Sequence, residues 1–228
     1  MALTLLHKSV PRIRGVLFDM DGVVLDTEKL YTRFWMEASA YQGFPMTKEQ
    51  ALGMRSLGKG VAEAQIRSYF GEKADYHRIR DTRIRMMNAY IRLHGVEPKP
   101  GIFELLDVLE ERGIPRAITS SASLPTIRAH LGSLGLAQRF TRLCSGKDVA
   151  NGKPAPDIYL HGAACLGLAP EECLAIEDSP TGIESAYRAG CLPVLIPDQD
   201  QPGEETLRKC FAKADSLTDI LSLLDTFG

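Results

Sequence analysis

Two carboxylates two residues apart, Asp19 and Asp21, stand directly after the apolar run Ile13 to Phe18 and directly before Gly22. At the mouth of a buried strand, such a pair has the parts of a nucleophile and an adjacent proton donor. Glu177 and Asp178 follow another apolar run, Cys173 to Ile176. Hard carboxylate oxygens of this kind suit Mg²⁺, which keeps waters and substrate phosphate among its ligands. Lys153 is held in the stiff segment Gly152-Lys153-Pro154-Ala155-Pro156-Asp157, where a compact ammonium can neutralise phosphoryl oxygens and an attacking carboxylate. Ser120 and Ser121 close the run Ile114 to Thr119 and offer a hydroxyl and backbone N–H groups to a phosphate. Each feature also has an ordinary reading: Asp and Gly form turns, Asp and Ser cap helices, and a lone Lys is usually a solvated charge. What they share is a position at a strand end or its adjoining loop, and together they point to phosphoryl transfer.

The elements that must position them are legible as apolar runs and helical periodicities. Five short runs read as buried strands: Ile13 to Phe18, Ile114 to Thr119, Phe140 to Cys144, Cys173 to Ile176 and Leu192 to Ile196. Between them lie helical patterns: Phe103, Leu106 and Leu109; then Ile127, His130, Leu131 and Leu134; then Tyr159, Ala163 and Leu166. Alternation of this sort predicts right-handed crossovers and a doubly wound, Rossmann-like parallel sheet with helices on both faces. Ligands in such folds bind outside the carboxyl ends of the strands, where the acids, serines and lysine fall. From Glu28 to Glu97 the pattern is helical only: Tyr31, Phe34, Trp35, Ala38 and Tyr41; Val61, Gln65, Ile66 and Tyr69; Tyr76, Ile79, Met86, Met87, Tyr90 and Leu93. This stretch, closed by Pro98-Lys99-Pro100-Gly101, predicts an inserted α-helical cap at 28–97, with the α/β core at 1–27 and 98–228. A final helix is expected in the tail, with Leu217, Ile220, Leu221 and Leu224 packing on the sheet.

Four segments, FDMDGVVLDT, Thr119-Ser120-Ser121, GKPAPDIY and IEDSPTGIESA, resemble the four motifs of the haloacid dehalogenase superfamily, in that superfamily's order. The helical insertion after the first motif resembles the subgroup of β-phosphoglucomutase and many sugar-phosphate and nucleotide phosphatases. The resemblance implies that Asp19 attacks phosphorus and forms an aspartyl-phosphate, while Asp21 protonates the leaving oxygen and then activates water. It implies Mg²⁺ held by Asp19, the Asp21 carbonyl and Asp178, with Glu177 close by, and a phosphoryl group bound by Ser120 and Lys153. Arg55 and Lys59 are the cationic residues of the insertion expected to contact substrate. A phosphomutase is the alternative. β-Phosphoglucomutases carry a His five residues after the Asp matching Asp26, and Tyr31 stands there, which favours hydrolysis. A true haloacid dehalogenase lacks the second Asp.

Composition narrows the class further. A chain of 228 residues is long enough for a core with an insertion. The formal net charge of -2 gives no reason to expect a nucleic-acid partner. The five cysteines are scattered with no C-x-x-C pair, so they are expected to be free thiols in a reducing, cytoplasmic setting. The apolar start, Met1 to Leu6, is too short for a signal peptide, and no run approaches the roughly 20 apolar residues of a membrane span. The expected partner is a small phosphorylated molecule.

Overall fold

A computed structural model describes residues 4–6, 12–54, 57, 59–197 and 202–227. Along the chain the order is β1 (Thr4–Leu5), β2 (Gly15–Phe18), α1 (Glu28–Tyr41), α2 (Lys48–Leu52), α3 (Lys59–Phe70), α4 (Tyr76–His94), α5 (Ile102–Glu111), β3 (Arg116–Ser120), α6 (Leu124–Gly132), β4 (Arg142–Ser145), α7 (Asp157–Leu166), β5 (Cys173–Glu177), α8 (Pro180–Arg188), β6 (Leu192–Leu195), α9 (Glu204–Lys209), β7 (Ala212–Lys213) and α10 (Asp219–Phe227). Contacts divide the chain into two compact units, Met1–Asp26 with Glu97–Gly228, and Thr27–Val96.

The first unit is a seven-stranded sheet of order β1-β7-β6-β5-β2-β3-β4, parallel throughout except for β1, which runs antiparallel to β7. Every residue of β2, β3 and β5 is buried, as expected of central parallel strands covered on both faces. β2 leads on to its neighbour β3, while the adjacent β5 leads on to β6 on the other side, so the two connections diverge and a crevice forms at the carboxyl ends of β2 and β5. The register sets the level of each site residue. Phe18 pairs with Ile118 on one side and Ile176 on the other, which puts Glu177 level with Asp19 and Ser120 level with Met20.

The five predicted strands are present, with ends shifted by one or two residues. Two further strands, β1 and β7, are only two residues long each and carry no period to read. Phe140 precedes β4 rather than opening it, and its ring meets Phe18 edge-on at 5.6 Å. The buried face of α5 is Ile102, Leu105, Leu106 and Leu109, while the predicted Phe103 is turned out, one position off the stripe. In the tail, Ile220 and Leu224 are buried on α10, and Leu217 is buried just ahead of it.

The second unit is the helical stretch α1 to α4. Trp35, Ala38, Met46, Ala51, Met54, Ala62, Ile66, Tyr76 and Ile79 form its core, with α1 lying along α4. Two of its helices start at side-chain caps: Thr47 and Gln50 make a reciprocal capping box on α2, and the Asp75 carboxylate accepts the His77 and Arg78 amides at α4. The Arg83 guanidinium lies over the rings of Tyr31, at 4.6 Å, and Trp35, at 4.9 Å. Three residues assigned to the aromatic and Met stripe are exposed instead: Tyr41, Val61 and Leu93. Each sits near the end of its helix, where the apolar face runs out.

Candidate active site

Asp19 leaves β2 with its amide donating to the Ile176 carbonyl at 3.0 Å, so the residue is still tied to the sheet as the chain departs. The chain then folds back tightly. Val24 and Leu25 amides both reach the Met20 carbonyl, and Gly22, at φ +82°, donates to the Leu25 carbonyl. A side chain at residue 22 would have to adopt a left-handed backbone, and its Cβ would fall 2.0 Å from Asp178 Oδ2. Glycine therefore lets the Asp178 carboxylate press against the turn that carries Asp21.

Lys153 joins the first motif to the last. Its Nζ donates to Asp19 Oδ1 at 2.5 Å and to Glu177 Oε1 at 2.6 Å, and all three side chains are nearly excluded from water. Glu177 Oε1 also accepts from the Tyr159 hydroxyl at 2.5 Å, and Oε2 accepts from Ser179 Oγ at 3.2 Å. Ser179 caps α8 by accepting the Gly182 amide at 3.1 Å. Here too a glycine makes room: a Cβ on Gly182 would lie 1.9 Å from the Glu177 carboxyl carbon. Carboxylate oxygens of Asp19, Glu177 and Asp178 all lie within 4.8 Å of one another.

The other residues singled out in the sequence are distributed as follows. Ser120 is buried at the end of β3, its hydroxyl accepting the Ala122 amide at 3.1 Å and its carbonyl accepting the Gly146 amide at 2.7 Å. Ser121 is exposed beside it. Asp21 is half-exposed in the turn. Arg55 lies outside the described residues, and Lys59 is the first residue of α3.

Comparison with known proteins decides the family. A family profile described as "Hydrolase: haloacid dehalogenase-like hydrolase" matches residues 13–190. The chain belongs to the haloacid dehalogenase-like hydrolases. Hexitol phosphatase A of Escherichia coli (strain K12) is 35% identical over 193 residues, covering 81% of this chain and 83% of that protein. A probable pseudouridine-5'-phosphatase of Drosophila melanogaster is 32% identical over 211 residues, 88% of each chain. Among solved structures, CbbY from Rhodobacter sphaeroides in complex with phosphate superposes with a TM-score of 0.76 at 25% identity, covering 93% of this chain and 99% of that one.

In this hydrolase, burial pushes Asp19 up to about 7; the Lys153 ammonium pulls the other way, and the Glu177 and Asp21 carboxylates add to the rise. Burial alone would pull Lys153 down, but the carboxylates of Asp19 and Glu177 more than reverse it and hold the group well above its ordinary value, as a cation. On α6, burial lowers His130, with the Asp21 charge opposing.

The hydrogen-bonding roles of two residues, Tyr159 and Thr119, are not legible in the sequence. Tyr159 read as a core position of α7, which it is, yet its hydroxyl is spent on Glu177. A fully buried tyrosine needs a partner for its O–H, and that requirement was the available signal. Thr119 donates its hydroxyl to the Phe18 carbonyl at 3.1 Å, tying β3 to the end of β2. Neither contact leaves a trace in local spacing.

Proposed function

We propose that this chain is a Mg²⁺-dependent phosphatase acting on a small phosphorylated metabolite, a sugar or polyol phosphate or a nucleotide-like monoester, through an aspartyl-phosphate on Asp19. As a hydrolase of this family it is a phosphoric monoester hydrolase. The observation that carries the reading is the buried Lys153 ammonium shared between Asp19 and Glu177, beside the Asp178 carboxylate.

The donor set fits a hard cation. Carboxylate oxygens of Asp19 and Asp178 lie within reach of one another, and Gly22 leaves the backbone at Asp21 open to Asp178. Asp19, Asp178 and the Asp21 carbonyl would hold the ion. Glu177, whose two oxygens serve Lys153, Tyr159 and Ser179, supports them from behind. When bound, Mg²⁺ supplies positive charge to the phosphoryl oxygens and to the carboxylate of Asp19.

The chain's own residues carry the two displacements. A carboxylate oxygen of Asp19 bonds to phosphorus as the ester P–O bond breaks, and the leaving oxygen takes the proton of the Asp21 carboxyl. Asp21, now a carboxylate, removes a proton from water as the water oxygen bonds to phosphorus. The acyl-phosphate P–O bond breaks, releasing inorganic phosphate and the Asp19 carboxylate. Lys153 fixes the orientation of Asp19 and neutralises charge on the phosphoryl group, which Ser120 and the amides near Ser121 also receive.

The helical insertion, 28–97, serves as the cap of the core formed by 1–27 and 98–228 and chooses the substrate, with Arg55 and Lys59 as its cationic contacts. Five free cysteines suit a reducing, cytoplasmic setting. Hydrolysis is favoured over phosphoryl transfer to a sugar because position 31 holds a tyrosine under the Arg83 guanidinium, with no imidazole to relay a proton.

Phosphate release from hexitol and sugar phosphates, nucleotides, pseudouridine 5'-phosphate and p-nitrophenyl phosphate, with Mg²⁺ and with chelator, tests the proposal. Release that requires Mg²⁺ is expected. Isomerisation of a hexose 1-phosphate without release, or metal-independent hydrolysis, would overturn it.

A further inference from the structure

Away from the carboxylate centre, on the side of the sheet where α7 packs against β4, three soft donors converge: Cys144, His161 and Cys165. His161 and Cys165 are four residues apart on α7 and therefore project from one face of that helix. Cys144 enters from β4 and is buried in the core beneath them, while His161 and Cys165 are partly exposed. The nearest sulfur and nitrogen atoms of the three side chains all lie within 4.8 Å of one another, and Cys165 Sγ is 3.6 Å from His161 Nε2.

Those separations are close to what a tetrahedral ion demands. With Zn–S near 2.3 Å and Zn–N near 2.0–2.1 Å, tetrahedral geometry sets S···N at about 3.5 Å and S···S at about 3.8 Å. The Cys165–His161 S···N distance already agrees, and the two separations to Cys144, each at most 4.8 Å, need close by no more than about 1.3 Å. Two thiols and an imidazole are the wrong ligands for Mg²⁺, which takes oxygen, and the right ones for Zn²⁺ or another thiophilic ion. Three protein ligands with two of them partly exposed leave a fourth position to water.

We propose that Cys144, His161 and Cys165 form a second metal site, selective for Zn²⁺ over Mg²⁺ and separate from the carboxylate centre. Binding exchanges the two thiol protons for the ion, with no change in oxidation state. Its structural effect follows from where α7 begins. That helix carries Tyr159 and starts at Asp157, directly after the segment holding Lys153, so an ion that clamps α7 to β4 braces the element presenting both groups to Glu177.

The test is a Zn²⁺ titration of the full chain, in excess Mg²⁺ and a non-thiol reductant, followed by calorimetry and thermal unfolding. A parallel Co²⁺ titration is read by its thiolate charge-transfer absorption. One equivalent of Zn²⁺ is expected to bind, with Tm raised by about 5 °C or more at saturating ion. Affinity should fall at least about 100-fold in His161→Ala and in Cys165→Ser, losing one of three ligands in each case, while Asp178→Asn should bind Zn²⁺ like the parent. His161 and Cys165 are partly exposed, so circular dichroism should show both variants folded; the Co²⁺ spectrum of the unaltered chain stands independently of them. Absence of a thiolate–Co²⁺ band, or Zn²⁺ binding that survives both substitutions or is lost in Asp178→Asn, would each overturn the proposal.

Discussion

Lys153 sits between two carboxylates, and all three side chains are nearly excluded from water. Replacing it with Met leaves Asp19 and Glu177 facing each other without a counter-charge. That change should lower stability by about 3–5 kcal/mol, the usual result of removing one partner from a buried ion pair. It should also lower kcat by at least about 10²-fold, since one charge-stabilising donor is lost. Urea unfolding and steady-state kinetics measure the two effects, and a surface lysine would move neither by more than about 0.5 kcal/mol. Gly182→Ala is a subtler probe. Its Cβ would strike the Glu177 carboxyl, so a fall in activity with the helix intact by circular dichroism is expected, and parent-like kinetics would show that Glu177 can move without consequence. The residue types at the site were visible in sequence because acids, serines and a lysine stood directly after apolar runs. Their hydrogen-bond partners were not. Tyr159 reaches Glu177 across 18 residues of sequence, and Lys153 reaches Asp19 across 134, distances that only the sheet register converts into contact.

At the scale of elements, the apolar runs were legible because parallel strands buried on both faces are continuous in Val, Ile, Leu and Phe. β1 and β7 escaped because two residues form no pattern to read. Helix faces were located to within a position: α5 was expected to bury Phe103, and it buries Leu105 and Ile102 instead. This difference is measurable. Leu106→Ala, at a fully buried site, should cost about 2–5 kcal/mol, because the removed methyls leave a cavity. Phe103→Ala, at a site 40% exposed, should cost under about 1 kcal/mol. Thermal unfolding distinguishes them, and equal losses would show that the α5 face has been assigned wrongly.

At the scale of the whole molecule, the metal, the nucleophile and the proton are linked. A carboxyl whose pKa rises on folding keeps its proton to higher pH in the native protein, so Asp19 contributes stability to the metal-free chain at low pH and loses it as pH rises through about 7. A cation that needs the carboxylate must displace that proton. The apparent Mg²⁺ affinity should therefore fall as pH drops below about 7, approaching tenfold per pH unit for one proton, and level off above it. Calorimetric titration across that range checks the sign, and an affinity independent of pH would place Asp19 outside the metal's reach. Both proposed displacements pass through a phosphorylated Asp19. The most direct test is to quench the enzyme during turnover of its best substrate, reduce any acyl phosphate with borohydride, and map the product by mass spectrometry. Conversion of Asp19 to homoserine, absent without substrate and absent in Asp19→Asn, is the predicted result. Sustained phosphate release with Asp19 unmodified throughout would contradict it.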